Sequence, residues 1–396
     1  NLGNVYVTSG SNVNGSDCYY VTIKYDPSGN QVKTNSYGPV ERDYPVSMAV
    51  DAGGNVYITG TSRNVINGQF DYITFKYDKD LNLIWHTRYT DYFSYASSIT
   101  IDASGVYVTG ESSGDFATIK YDLTTGSLIW ERRLDVGNSD HGASVALDGS
   151  GNLIVTGSGM TTEPGSSSYF FATLKYTTDG GFCWMKQYFS SEYMGCVAIK
   201  VAVYNFDNIY ITGYSLSGDI ITINYDKDGR EIWVRKYDET NNLMDIPNTM
   251  AVDAEGSVYV AGWSVDPENP ISERTMIKYN IDGVQKWVVK RGSQYFSSIV
   301  VDASGNIFTV DDGYNTVKYD KNGVEQWAQV GSGMKATSIV LDAMDNVYVA
   351  GWTWDANQDI QFVTTKYSQA PTNPLEIINS LSLKVTKLRT AGFLNN

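Results

Sequence analysis

A four-segment unit recurs along the chain and leaves few architectures open. Segment A is an apolar run ending in Asp: Met48 to Asp51, Ile99 to Asp102, Val145 to Asp148, Met250 to Asp253, Ile299 to Asp302 and Ile339 to Asp342. A tight Gly turn follows, then segment B, Val-Tyr-Val-Thr-Gly or a variant, starting at Val5, Val56, Val106, Leu153, Ile209, Val258, Ile307 and Val347. After a variable stretch comes segment C, which closes on Tyr25, Tyr77, Tyr121, Tyr176, Tyr225, Tyr279, Tyr319 and Tyr367. These tyrosines lie 52, 44, 55, 49, 54, 40 and 48 residues apart. A second Gly turn leads to segment D, marked by Trp85, Trp130, Trp184, Trp233, Trp287 and Trp327.

Each segment is short, rich in β-branched and aromatic residues, and bounded by Gly, Asp and Asn, which is the signature of strands. The A–B and C–D connections have room only for hairpin turns. A four-stranded antiparallel meander repeated at this period predicts an all-β β-propeller. Eight B and eight C segments favour eight blades over the seven-bladed alternative, with the first unit lacking A and the last lacking D. The strand-D Trp is expected to pack between blades. The propeller is expected to span residues 1–367, followed by a linker at 368–374 and a C-terminal helical segment at 375–396, where Leu375, Ile378, Leu381, Val385 and Leu388 fall on one helical face. Asn1 begins in the middle of a recurring motif, so an upstream segment is expected.

The string Asp-x-x-Gly-Asn-Val-Tyr-Val-Thr-Gly, followed by Lys-Tyr-Asp-x-x-Gly-x-x-x-Trp, resembles the bacterial and archaeal SBBP β-propeller repeat family over residues 1–367. That family takes its name from seven blades, so a count of eight departs from it. The resemblance implies a secreted or cell-surface protein, with no particular activity. Residues 383–396 resemble the start of a helical module found at the C-terminus of secreted bacterial proteins.

Composition narrows the function. The net charge is −15, with 29 Lys+Arg against 44 Asp+Glu and no basic stripe, which argues against nucleic acid as a partner. No apolar run reaches 18 residues, so no membrane-spanning helix is expected. Three Cys cannot build a disulfide framework, and all are read as free. With only His86 and His141, a multi-His metal site is excluded, and no nucleophile elbow, phosphate loop or Cys-x-x-Cys pair occurs. No cofactor is expected; the one metal considered is Ca2+.

Strand direction puts the B–C and D–A loops on one face and the two short turns on the other. The first face carries the length variation, at Ser9 to Tyr19, Ser158 to Tyr169, Trp263 to Arg274 and Trp352 to Gln361. Variable loops on a rigid scaffold are where binding concentrates. Tyr214, Trp263 and Trp352 each follow the Gly that ends segment B, while Tyr44, Tyr95, His141, Tyr295 and Lys335 each stand seven residues before the Asp that ends segment A. Aromatic faces with polar tips suit carbohydrate or protein ligands. Lys200 takes a position held by Ser47, Ser98, Ser144, Thr249, Ser298 and Ser338 in other units, and a lone Lys on an innermost strand is costly unless paired or solvated. Facing a water-filled channel, it would meet an anionic ligand; the alternative is a bulge that turns it outward, and the repeated hydroxyls are expected to bond backbone. Asp71, Asp115, Asp219 and Glu273 lie where segment C begins and are the candidate Ca2+ ligands, the competing role being loop capping.

The function expected is that of a non-enzymatic, extracellular or cell-surface binding scaffold for protein or glycan. A structural subunit of a surface layer or filament, self-associating, is the first alternative. The second is a quinone-dependent dehydrogenase, because Tyr121 to Trp130 resembles the tryptophan-docking repeat of those eight-bladed enzymes.

Overall fold

A computed structural model describes residues 3–382 apart from 14–16, 41–42, 65, 136–138, 162–167, 191–194, 239–243, 266–271, 293, 332, 355–359 and 368–380. It contains eight antiparallel sheets, each a meander of sequential strands, so the eight-bladed reading holds. Blade 1 comprises β1 (Val5–Val13), β2 (Asp17–Tyr25) and β3 (Gln31–Val40). Blade 2 comprises β4 (Asp43–Val50), β5 (Val56–Arg63), β6 (Phe70–Tyr77) and β7 (Leu83–Tyr89). Blade 3 holds β8 (Ser94–Asp102), β9 (Gly105–Ser112), β10 (Asp115–Tyr121) and β11 (Leu128–Leu134). Blade 4 holds β12 (His141–Leu147), β13 (Leu153–Met160), β14 (Tyr169–Tyr176) and β15 (Phe182–Tyr188). Blade 5 holds β16 (Cys196–Tyr204), β17 (Asn208–Ser215), β18 (Ile220–Tyr225) and β19 (Glu231–Tyr237). Blade 6 holds β20 (Met244–Val252), β21 (Val258–Val265), β22 (Ser272–Tyr279) and β23 (Gln285–Arg291). Blade 7 holds β24 (Phe296–Val301), β25 (Ile307–Asp311), β26 (Thr316–Tyr319) and β27 (Glu325–Gln329). Blade 8 holds β28 (Lys335–Leu341), β29 (Val347–Trp354), β30 (Ile360–Tyr367) and β31 (Leu381–Ser382).

All eight segment-C strands end on the tyrosine read from sequence. Two expectations change. Two of the segments read as B–C loops carry strand further than expected: β1 and β2 pair out to Val13↔Asp17, and β29 and β30 out to Trp354↔Ile360. Blade 8 also has a fourth strand, because Leu381–Ser382 pairs with the outer edge of β30. The helical segment expected over 375–396 lies outside the described residues except at those two positions, which are strand.

The core sits between blades, where B and C side chains of one sheet pack on the next. The repeat's signature residues hold these interfaces. The Trp130 indole donates to the Thr178 carbonyl of the following blade at 3.1 Å, and Trp85, Trp184, Trp233 and Trp287 do the same to Leu123, Lys227, Ile281 and Lys321. The Lys before the segment-C Tyr reaches the same turn: Lys76 to the Leu123 carbonyl and Lys120 to that of Thr178, both at 2.8 Å. Lys366 makes the equivalent bond to Pro27, 3.0 Å, joining blade 8 to blade 1. There Tyr348 and Phe362 pack with Val5, Val7, Val21 and Ile23. The ring thus closes through its ordinary interblade contact.

The inner strands of successive blades pack around the axis. Two of the repeated hydroxyls link them as expected: Ser47 Oγ accepts from the Ile99 N–H and Ser98 Oγ from that of Val145, each at 3.3 Å. Among the described residues blade 1 has no inner strand, and Val46 and Val50 of β4 and Val340 of β28 are exposed. Cys183 and Cys196 are both free. No helix among the described residues is long and apolar enough to cross a membrane.

Candidate binding face at the channel mouth

The mouth residues are set in place by a bulge. In each inner strand the register slips by one residue just before the repeated hydroxyl position, as at Pro45/Ser47, Ala96/Ser98 and Ala336/Ser338. The slip folds the carbonyl of the preceding residue over the Gly that ends segment B. A methyl group on Gly110 would overlap the Tyr95 carbonyl, and one on Gly351 that of Lys335. A Gly fits beneath this carbonyl in six blades, while blade 7 keeps the same slip at Phe296/Ser298 with Asp311 in that place; the bulge re-aims the side chain at the rim.

Tyr44, Tyr95, His141, Val197, Ile246 and Lys335 stand in ladder register opposite Thr61, Glu111, Ser158, Tyr214, Trp263 and Trp352. Tyr295 completes the set, its carbonyl accepting from the Asp312 N–H at 3.2 Å. The two groups singled out from sequence, the segment-A residues and the segment-B aromatics, are thus one double rim on the loop face.

The rim has three sectors. In blades 2 to 4 Tyr44 is exposed, Tyr95 packs on Phe70 at 5.5 Å, and His141 lies 3.5 Å from both Glu111 and Ser97. In blades 5 and 6 Tyr214 and Trp263 are half-buried beside aliphatic partners. Behind them Asp245 is buried and accepts from Ser264 Oγ. Burial, followed by the charges of Asp219 and Asp238, pushes its carboxyl up to about 6. In blades 7 and 8 the Lys335 ammonium lies 2.8 Å from Asp312, and that hydrogen bond raises its pKa. Trp352 meets Trp354 edge-to-face at 4.5 Å.

Lys200 lies further along β16 than the rim position and is exposed there. Desolvation lowers its pKa. The bulge at Ala198/Lys200 is the ring-wide one rather than an adaptation to the lysine.

The four candidate Ca2+ ligands do not converge. Each faces a cation of segment D in its own blade: Asp71 with Arg88 (3.2 Å), Asp115 with Arg133 (3.7 Å), Asp219 with Lys236 (2.9 Å) and Glu273 with Lys290 (4.0 Å). Among the described residues no three His, Cys, Asp or Glu side chains are grouped to hold a metal. The turn aspartates are engaged locally, Asp51 Oδ1 accepting from the Asn55 N–H and Asp302 Oδ1 from that of Asn306, both at 2.8 Å. Sequence reasoning missed Trp354, Asp312 and Glu111. Trp354 was legible: it follows Trp352 by two residues and shares its strand face once the strand continues. Asp312 sits in a turn whose partner is set by the next blade, and no local pattern announces it.

No known protein family matches the sequence, and no curated protein does. Solved structures do match. BamB from Moraxella catarrhalis aligns at TM-score 0.56 and 12% identity, covering 90% of this chain and 98% of that one. Sqt1 from Chaetomium thermophilum aligns at 0.58 and 10%, covering 88% and 91%. The dihydro-heme d1 dehydrogenase NirN, solved in complex with DHE, aligns at 0.59 and 14%, covering 93% and 71%. At these identities the likeness is one of fold. Since it extends to a dehydrogenase, the architecture does not choose between catalysis and binding. The Tyr121 to Trp130 string is explained by architecture, because Trp130 makes the interblade bond that four other blades also make.

Proposed function

We propose that the chain is a non-enzymatic, extracellular or cell-surface scaffold that binds a glycan or protein ligand on its loop face. The observation that carries this reading is the double rim, in which Tyr44, Tyr295, Lys335 and Trp354 are exposed while Tyr214, Trp263 and Trp352 are half-buried. Exposed aromatics beside polar groups, on strands or, for Tyr295, directly before one, offer a preorganised contact surface with little ordering cost. The resemblance to surface propeller repeats supports the location. A glycan array with and without Ca2+, and cross-linking at the native cell surface, would test both ligand classes. Saturable binding that disappears in the Tyr214→Ala/Trp263→Ala/Trp352→Ala variant supports the reading. Binding abolished by turn-face substitutions, with the rim variant unaffected, would overturn it.

A second reading, a self-associating structural subunit, is favoured by the outer strands, which expose Leu83, Ile84, Leu128, Ile129, Phe182 and Ile232. Filaments or sheets seen by electron microscopy of the purified chain would support it; a strictly monomeric solution mass would dismiss it.

A further inference from the structure

Blades 7 and 8 bring unlike chemistries to one corner of the rim. Asp312, in the short turn between β25 and β26, is only 9% exposed. One of its carboxylate oxygens is 2.8 Å from Lys335 Nζ; the other is buried with no hydrogen-bond partner among the described residues. Lys335 is exposed and stands opposite Trp352 in the β28–β29 ladder. Trp352 abuts Trp354, which is 56% exposed, and Tyr295, 42% exposed, joins Asp312 through its carbonyl.

These groups make three separate demands. A buried carboxylate oxygen without a donor is costly, and a donor that reached it would recover that cost. An exposed indole gains from an apolar face laid against it. The Lys335 ammonium has three donors, and Asp312 occupies one. A cationic ligand, which Trp and Asp together would attract, is opposed by Lys335. An anionic one is opposed by Asp312 and by the net charge of −15. A sugar ring meets all three demands without charge, since its hydroxyls both donate and accept and its C–H face stacks on an aromatic ring.

We propose that blades 7 and 8 form a subsite for a neutral sugar residue of a glycan, with Trp354 as the stacking platform and Asp312 and Lys335 as the acceptor and donor for its hydroxyls. This rests on the rim being a binding face and goes further by naming the corner and the ligand class. Titration calorimetry with cellohexaose, mannohexaose and chitohexaose, and with sialyllactose as a charged control, tests it. At least one neutral saccharide should bind and sialyllactose should not. Trp354→Ala and Lys335→Met should each weaken that binding about tenfold or more, the order expected on losing one stacked aromatic or one desolvated hydrogen bond. Trp354 is exposed, so Trp354→Ala should leave melting unchanged, whereas Lys335→Met removes the partner of the buried Asp312 and should lower it; Arg230→Ala on the turn face, the neutral control, should leave the affinity within about threefold. Saccharide binding lost in the Tyr214→Ala/Trp263→Ala variant but kept in Trp354→Ala would overturn the subsite and leave the binding face standing. A wild-type protein that binds none of the neutral saccharides would also overturn it, while rim-dependent cross-linking to a protein would still uphold the broader reading.

Discussion

The two faces of the ring use the same residue types to opposite ends. On the turn face, aspartate and tyrosine are bound to one another. Asp253 Oδ1 caps its own turn through the Ser257 N–H, while Oδ2 takes the Tyr259 hydroxyl at 2.8 Å. Asp342 does the same with Asn346 and Tyr348. On the loop face, Tyr44 and Tyr295 are exposed at the rim, and Asp312 keeps one oxygen without a donor. The turn face repeats because each blade must present the same clamp to the next. The loop face is freed from that demand: the bulge and Gly carry the geometry, and the side chain at the rim can change from Tyr to His to Lys without disturbing the blade.

The largest test of this contrast is Trp233→Ala on the turn side. It removes a buried indole and its 2.9 Å bond to the Ile281 carbonyl, and should cost about 3–5 kcal/mol in denaturant unfolding. Gly283→Ala should follow at about 1–3 kcal/mol, because the added methyl overlaps the Trp233 indole at a positive backbone φ of 74°. The two share one contact, so the double variant should fall short of the sum.

Asp245→Asn probes a loop-face carboxylate that the contrast would call expendable. Its pKa is raised to about 6 from an ordinary 3.8, so the fold disfavours the charged form. The group's destabilisation is absent below about pH 4, grows as pH rises through 6 and is complete above it. Asparagine should therefore raise stability at pH 8 by on the order of 1–2 kcal/mol and change little at pH 4. Equal melting shifts at both pH values would rule out this account. Lys200→Met should act in the same sense through a cation. A lowered ammonium pKa means that the charge is disfavoured in the folded state, so the variant should be more stable at pH 7, with the gain shrinking at alkaline pH. Trp354→Ala should have the smallest effect on stability, within about 0.5 kcal/mol in the same unfolding assay. A large loss there would mean that the exposed rim is structural after all.

Much of this molecule could be read without coordinates. Strand ends, blade number and the sorting of the two faces follow from alternation, Gly turns and repeat period, because hairpin partners are close in sequence and their pairing is encoded locally. The eight tyrosines that close segment C end their strands as read. The rim was legible only in part. Tyr44 and Trp352 could be named from position, but a loop was read where the hairpin continues, which hid Trp354. The ion pairs of the candidate Ca2+ ligands Asp71 and Asp115 were not legible, because their cations lie across a strand pair, at Arg88 and Arg133, where no motif marks them.

Tertiary structure decided what joins one unit to another. The closing bond from Lys366 to Pro27 spans 339 residues, and the pairing of Asp312 with Lys335 crosses from blade 7 to blade 8. Such contacts follow from how the blades stack around an axis. Periodicity states that neighbouring units must pack; which side chains meet at the rim depends on bulge, twist and blade spacing, which only the assembled ring sets.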